Sequence, residues 1–487
     1  MRFKTGTPVI LLAVTLLVSA VFLYQGYNDF RIAENFRGLP LSFDPYTSTS
    51  SYDWNGTSVQ IQGGFVKALI REKDQSESLL LRSLSPTPKI ILKSGSPASK
   101  TYLLRLENVN PARTIVQPGT FQAADPHSIL LSVSLNPGEE RTIQVQPKDD
   151  KNYLDMVILG DNRNGYKTFS QIISQINAVA PVFVIDNGDL VFGGEPNRYR
   201  LFYETVSQLQ VPLYTTLGNH DIRKNGRVIY TELFGPPYYS FDYRDTHFVF
   251  LDSSRGWTEK RAIPPEQYRW LEQDLQKAQG KRIYVISHIP PTDPRSAQQP
   301  NTLPNIPGVE KTDYFEALMD NYGLYKNLNH AFPDKAEAQK FETLMSKNQV
   351  DTVFLSHIHS YFSFIKNGVR YVISGGGGAE LLTDNSYYHY LRVEAASGKN
   401  YLEVVQLPSP PNRLQDRYIA AAQMFASSIY KEYTTTVIAL GTIAALLLVW
   451  ILWATRHKWW PGLRFLGIWL YEVGKFAAAR FKQLRHK

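Results

Sequence analysis

Five short apolar runs in the middle of the chain each end in a polar side chain of a type that binds metal ions. In open α/β sheets the residues beyond the carboxyl ends of the strands gather at one edge. The sequence therefore predicts that these polar groups meet in one pocket. The runs cover 156–160, 182–188, 213–218, 283–287 and 352–356, and they lead into Asp161, Asp189, Asn219-His220-Asp221, His288 and His357-Ile358-His359.

Helix-like stretches separate these apolar runs, at 168–180, 265–278 and 336–347. Alternation of strands with helices predicts an α/β domain, which we place at residues 152–407. Residues 290–334 are rich in Pro and Asn. A connection of that length in a compact domain is usually functional or disordered, and we expect this one to cover the active face.

The types of ligand narrow the choice of metal ion. The chain has no cysteine, so disulfides and thiolate ligands are excluded. Imidazole mixed with carboxylate suits Mn, Fe or Zn. Two such divalent or trivalent ions about 3.5–4 Å apart are a common device for displacement at phosphorus, and one carboxylate would bridge them.

Short motifs carry a resemblance to a known family. In order along the chain they are Gly-Asp at 160–161, Asn-Gly-Asp at 187–189, Gly-Asn-His-Asp at 218–221, Ser-His at 287–288 and Ser-His-Ile-His at 356–359. With these motifs, 154–406 resembles the calcineurin-like metallophosphoesterase superfamily. The resemblance implies a β-sandwich core flanked by helices and hydrolysis of phosphomonoesters, phosphodiesters or pyrophosphates.

The resemblance also implies a role for each motif residue. Asp161 and His359 would hold the first metal, Asp189 would bridge, and Asn219, His288 and His357 would hold the second. A hydroxide between the metals would attack phosphorus, and His220 would protonate the leaving oxygen. Asp221 would orient His220.

One position departs from the family pattern. Where the family commonly has a histidine ligand of the first metal, this chain has Arg163, which stays charged and cannot be an ordinary ligand. Asn162, Asn164 or water would have to compensate, or Arg163 would grip a substrate phosphate. The purple acid phosphatases also lack that histidine, but they use a tyrosine where this chain has Phe192.

The chain before the α/β domain is rich in β-forming residues. Segments 58–62, 89–93, 102–106 and 129–135 are short and strand-like, and turn signals such as Asn136-Pro-Gly138 separate them. We therefore predict a small all-β sandwich domain over residues 30–150, with a spacer or packing role.

Both ends of the chain carry apolar segments. Residues 437–454 contain no charge, and with the preceding threonines they predict a transmembrane helix at 434–455, preceded by a helical stalk at 412–433. Residues 1–24 are either a second anchor or a signal peptide cut after Ala20. The alternative for 437–454 is a buried core helix.

The formal net charge of +8 is concentrated after Arg456. Because this basic tail, 456–487, directly follows an apolar run, it favours a membrane surface over nucleic acid. Basic residues outside both segments place both termini in the cytoplasm if the first segment is uncut. The catalytic domain would then lie outside it, at a plasma or inner membrane.

The expected partners are the membrane and a phosphorylated substrate, which lipid-linked or cell-envelope compounds would suit. Two other classes of function compete with this hydrolase. One is a non-catalytic metal-binding or scaffold protein of the cell envelope that keeps the fold. The other is a nuclease, which the placement and the lack of a basic stripe around the motifs disfavour.

Overall fold

The computed structural model describes residues 6–148, 151–257, 260–295, 330–381, 386–396 and 399–484. Most of the predicted loop 290–334 lies outside them. Two compact units are present. Residues 29–432 form one, and the two terminal segments, 1–28 and 433–487, form the other.

Ten strands near the start of the large unit form two five-stranded sheets, in the orders β1-β2-β5-β10-β7 and β3-β4-β6-β9-β8. One apolar core drawn from residues between Trp54 and Val145 serves both sheets. The predicted β content is therefore present. Because these sheets share a compact unit with the α/β part of the chain, their standing as a separate domain stays a prediction. The strands are β1 (Thr49–Trp54), β2 (Thr57–Gln62), β3 (Gly64–Arg71), β4 (Glu77–Ser83), β5 (Lys89–Ser94), β6 (Lys100–Glu107), β7 (Thr114–Gln117), β8 (Phe121–Asp125), β9 (Ser128–Leu135) and β10 (Glu140–Pro147).

The next eleven described strands form two more sheets, in the orders β13-β12-β11-β20-β21 and β14-β15-β16-β17-β19-β18. Strands β11, β12 and β13 run parallel, as do β15, β16, β17 and β19. The strands are β11 (Leu154–Leu159), β12 (Phe183–Asp186), β13 (Leu213–Thr215), β14 (Tyr239–Tyr243), β15 (Thr246–Leu251), β16 (Arg282–Ser287), β17 (Thr352–Leu355), β18 (Tyr361–Lys366), β19 (Val369–Ser374), β20 (His389–Ala396) and β21 (Lys399–Gln406).

These two sheets pack face to face around an apolar core to which both contribute. Phe183 of β12 lies at its centre, in edge-to-face contact with Phe241 and Phe248 of the other sheet. Burying each such side chain contributes roughly 1.5–3 kcal/mol. The parallel strands are buried on both faces, which explains their continuous apolar runs.

Helices cover the outer faces of both sheets and complete four layers. Helices α2, α3 and α4 share a core with the first sheet, and α5 and α6 share one with the second. The predicted β-sandwich flanked by helices is confirmed for this α/β part. The helices are α1 (Gly6–Phe36), α2 (Tyr166–Val179), α3 (Pro196–Val206), α4 (Gly226–Phe234), α5 (Pro265–Lys277), α6 (Lys335–Lys347), α7 (Leu414–Glu432) and α8 (Thr434–Leu484).

Two helical stretches, Pro8–Phe36 and Thr434–Arg456, are long and apolar enough to cross a membrane. None of the most apolar part of either is buried, which disfavours the alternative of a buried core helix. Helix α1 continues past Ala20 without a break. Helix α8 also continues to Leu484, so the backbone after Arg456 extends the apolar helix and does not begin a new element.

Candidate metal centre

Each predicted ligand lies within four residues after the end of the strand that the sequence assigned to it. Asp161 follows β11, Asp189 follows β12, Asn219 follows β13, His288 follows β16, and His357 and His359 follow β17. Their carboxylate oxygens and imidazole nitrogens form two groups, in each of which all atoms lie within 4.8 Å of one another. The groups are Asp189 with His288 and His357, and Asp161 with Asp189 and His359. Asp189 belongs to both, as a bridging carboxylate would.

Three of these residues have left-handed backbone conformations. The φ angles are 57° at Asp161, 56° at Asp189 and 71° at His357. A non-glycine residue with positive φ is uncommon and costs free energy, and such strain collects at functional sites. The sharp turn at each strand end directs its ligand into the pocket.

Backbone carbonyls fix the orientation of two imidazoles. The Nδ1 of His288 lies 2.8 Å from the Asn187 carbonyl oxygen, and the Nδ1 of His359 lies 2.7 Å from that of Glu380. A carbonyl only accepts, so each Nδ1 carries the proton and each Nε2 offers a lone pair to the pocket. Outer hydrogen bonds of this kind are usual behind metal-binding histidines.

The two oxygens of Asp161 have different surroundings. Its Oδ2 accepts from the Ser356 hydroxyl at 2.6 Å and the His357 backbone N–H at 2.7 Å. Its Oδ1 lies 3.5 Å from the His359 Nε2. Burial alone would raise the pKa of Asp161, but the positive charge that His359 carries when a proton, and not a metal, occupies its Nε2 outweighs burial and holds this pKa below its usual value. Asp161 is thus an ionised ligand.

Three buried atoms of the predicted ligands make no hydrogen bond to any described residue: the Oδ1 of Asp161, the Oδ1 of Asn219 and the Nε2 of His288. Buried polar groups are normally paired, so these atoms fit the first coordination shell of a metal ion. An amide, carboxylates and imidazoles suit Mn, Fe or Zn.

Two further residues, Asn187 and Gly375, shape the pocket, although neither was predicted as a site residue. The Asn187 amide donates to the carbonyls of Ser287 and Phe354, at 3.1 and 3.2 Å, and accepts from the Thr216 hydroxyl at 2.9 Å. It therefore links the ends of β16 and β17 to the strand that carries Asp189. A Cβ on Gly375 would lie 2.7 Å from the Asp161 Oδ2, so close approach explains this glycine.

Asp221 does not have the role that we predicted. Its carboxylate accepts from the backbone N–H groups of Asp189, Val191 and Gly218, at 3.0, 3.0 and 2.8 Å. It therefore shapes the loop that carries Asp189. The His220 ring is held instead by the Phe192 carbonyl, 2.7 Å from its Nδ1.

His220 lies between two guanidinium groups. Its Nε2 is 2.7 Å from Arg163 and 3.0 Å from Arg223. Burial, followed by these two positive charges, lowers the pKa of His220 well below its usual value. The imidazole is therefore neutral at pH 7 without a bound anion.

Arg163 reaches the metal ligands directly. Its guanidinium pairs with Glu380 at 2.8 Å, lies 3.5 Å from the Asp189 Oδ2 and lies 3.3 Å from the His359 Nε2. No local pattern in the sequence marks Glu380, because its contact with Arg163 forms only in the fold. Arg223 lies three residues after His220, so its contact with that ring is local. Asn164, a suggested substitute ligand, instead accepts from the Ser428 hydroxyl at 2.8 Å.

Helix α7, predicted as a stalk, packs against the catalytic part. Phe425 contacts the Phe192 ring at 5.1 Å, Glu432 pairs with Arg198 at 3.4 Å, and Arg417 donates to the Leu381 carbonyl. Phe192 in turn contacts the His220 ring at 5.1 Å. One helix therefore supports the loop that positions His220.

This fold and this cluster define the class of phosphoesterase domains that use metal ions. Residues 123–361 match the family model for calcineurin-like phosphoesterases, and this part of the chain belongs to that family. The resemblance seen in the motifs is confirmed.

Curated relatives carry related names. A probable glycerophosphodiester phosphodiesterase of Arcobacter nitrofigilis is 30% identical over 139 residues, 26% of this chain and 49% of that protein. Probable purple acid phosphatase 20 of Arabidopsis thaliana is 27% identical over 231 residues, 40% of this chain and 45% of that protein. The chain spans about half the length of the curated relatives it matches. The solved purple acid phosphatase PPD1 of yellow lupin (Lupinus luteus) aligns with a TM-score of 0.42 at 14% identity, over 72% of this chain and 77% of that one.

Proposed function

We propose that this chain is a metal-dependent hydrolase of phosphate esters, anchored in a membrane, with its catalytic part outside the cytoplasm. The observation that carries the proposal is the pair of ligand groups that share Asp189. Names of relatives that include a phosphodiesterase and a purple acid phosphatase agree with it. These relatives imply a two-metal centre, which agrees with the two ligand groups that share Asp189.

The ligand set assigns each cation a place. Asp161, Asp189 and His359 would hold one, and Asp189, Asn219, His288 and His357 the other. When bound, the cations neutralise charge on the phosphoryl oxygens and activate water for attack at phosphorus. Mn, Fe and Zn are the candidates.

The chain's own side chains complete the reaction. The guanidiniums of Arg163 and Arg223 both contact the His220 Nε2 and can donate to phosphoryl oxygens. His220 would protonate the leaving oxygen through its Nε2. Since burial and the two guanidiniums keep the pKa of His220 low, we propose that His220 takes up this proton only when the negative charge of a bound phosphate offsets them.

The surroundings of the site suggest the substrate. Two apolar helices long enough to cross a membrane flank the catalytic unit in sequence. Basic residues beyond each of them favour cytoplasmic termini. We therefore propose lipid-linked or cell-envelope phosphates as substrates, with soluble phosphate esters as the alternative. Protease added to intact cells should cut 29–432 and spare an epitope placed at the C-terminus.

The activity is tested on the full-length chain purified in detergent, with p-nitrophenyl phosphate and its bis ester, in Mn²⁺, Zn²⁺ or Fe²⁺. We expect turnover that a chelator removes. Asp189→Asn should abolish it, and His220→Ala should lower it by roughly 10²–10⁴. Asp53→Asn, the same change at an exposed residue of β1, should leave it intact. Turnover that survives Asp189→Asn would refute the proposed site.

A non-catalytic scaffold is the second candidate, and the position of Arg163 among the ligands favours it. A scaffold has no use for His220. If the wild type binds metal but hydrolyses neither ester, the scaffold function replaces the enzymatic one.

A further inference from the structure

The two ligand groups share one carboxylate whose oxygens face different neighbours. The Oδ1 of Asp189 lies 3.3 Å from the Nε2 of His288. The Oδ2 lies 3.5 Å from the guanidinium of Arg163. One oxygen thus faces an imidazole that can bind metal, and the other faces a fixed positive charge.

Arg163 contacts two of the three residues in the first ligand group. Besides Asp189 it lies 3.3 Å from the His359 Nε2. An arginine side chain does not lose its charge in proteins. It therefore competes with a cation for the same donor atoms and also repels that cation.

Glu380 holds the guanidinium in this place. The two side chains pair at 2.8 Å, and they are only 7% and 12% exposed. Breaking a buried charge pair of this kind strongly destabilises a protein, because the remaining charge is left buried without a partner. Displacing Arg163 to admit a second cation would break this pair.

The other ligand group is freer of this competition. His288 and Asn219 are buried, and no lysine or arginine among the described residues pairs with either of them. The Asn219 Oδ1 and the His288 Nε2 make no hydrogen bond within the part of the chain that the structure describes. Each group has three carboxylate or imidazole donors, and Asn219, predicted from the motif Gly-Asn-His-Asp, would add a fourth to this one.

We infer that the metal centre is asymmetric. One cation binds tightly at Asp189, Asn219, His288 and His357. In the first ligand group, Arg163, held by Glu380, supplies the positive charge in place of a tightly bound cation. A second cation then binds only weakly beside Asp161 and His359. This asymmetry adds detail to the metal centre of the proposed function. It rests on that function only in treating the cluster as the metal centre of a hydrolase.

The test is metal binding by the full-length protein in detergent, stripped by chelator and titrated with Mn²⁺. Bound equivalents are measured by equilibrium dialysis, and electron paramagnetic resonance separates single from coupled Mn²⁺ ions. We expect one tight equivalent with an uncoupled six-line spectrum. Arg163→His, which restores an imidazole, should give two equivalents and a coupled spectrum.

Two further variants isolate the charge. Arg163→Gln removes the charge without adding an imidazole, and it should tighten the second equivalent by at least about tenfold. Arg223→Gln removes the same charge from a residue that also contacts His220 but pairs with no ligand carboxylate. It should leave one tight equivalent.

The asymmetry is overturned if the wild type binds two equivalents of equal affinity, or if neither Arg163 variant strengthens the second equivalent. These outcomes do not depend on turnover. A protein with one tight equivalent and no hydrolysis would overturn the proposed function alone, and an active protein with two equal sites would overturn the asymmetry alone.

Discussion

Replacing Asn187 with alanine should cost both stability and metal affinity. The side chain makes three buried hydrogen bonds, to Ser287, Phe354 and Thr216. At about 1 kcal/mol each, their loss should lower the free energy of unfolding by about 3 kcal/mol. The same amide holds together the strand ends that carry the ligands. Losing an outer support of this kind typically weakens metal binding by roughly ten- to a hundredfold.

Asn108 provides a matched control. Its amide also makes three buried hydrogen bonds, to the Ser83 carbonyl at 3.0 Å and to the Leu213 carbonyl and N–H at 3.0 and 2.8 Å. Its φ of 65° adds about 1–2 kcal/mol of strain when alanine replaces it. Asn108→Ala should therefore destabilise the fold at least as much. Asn108 does not contact the carboxyl end of any strand that carries a metal ligand, so metal affinity should not change.

The assay is urea unfolding of each variant in detergent, followed by tryptophan fluorescence, together with Mn²⁺ titration in the absence of urea. We expect both variants to unfold at lower urea and only Asn187→Ala to bind Mn²⁺ more weakly. Equal loss of Mn²⁺ affinity in the two variants, or unchanged affinity in Asn187→Ala, would refute the argument that Asn187 positions the ligands.

Two further variants test features outside the metal ligands. His247 lies 2.8 Å from Asp242 and 2.9 Å from Asp274; burial would lower its pKa, but these hydrogen bonds and charges raise it to about 9. The stabilisation that protonated His247 contributes is therefore complete below the unfolded pKa of about 6.5 and is lost as pH rises through about 9. The Tm should fall more between pH 6 and pH 9.5 in the wild type than in His247→Gln, and equal falls would contradict the assignment. Phe425→Ala removes the contact of α7 with Phe192, and it should lower kcat without changing the bound metal; loss of metal would show that α7 supports the ligands themselves.

The strand ends were predictable because each motif is local. A buried strand that ends in Asp161 or His288 has a sequence signature, and parallel strands carry such residues to one edge. The β content of 49–147 was predictable for the same reason.

Contacts between distant segments were not predictable. The pairing of Arg163 with Glu380 joins residues far apart in the sequence, and nothing near Glu380 marks it. The family resemblance implied that Asp221 orients His220, but its buried carboxylate accepts backbone N–H groups of its own loop and of the loop that carries Asp189. The sequence of 412–433 predicted a helical stalk and gave no sign that it packs near His220.

The central claim is that side chains from separate strand ends hold metal in one pocket. Anomalous X-ray diffraction from Mn²⁺-loaded crystals of the full-length chain tests it most directly. We expect the strongest peak within coordination distance of the ligand atoms of Asp189, Asn219, His288 and His357. A peak elsewhere on the protein at saturating Mn²⁺, with none in this pocket, would contradict the account.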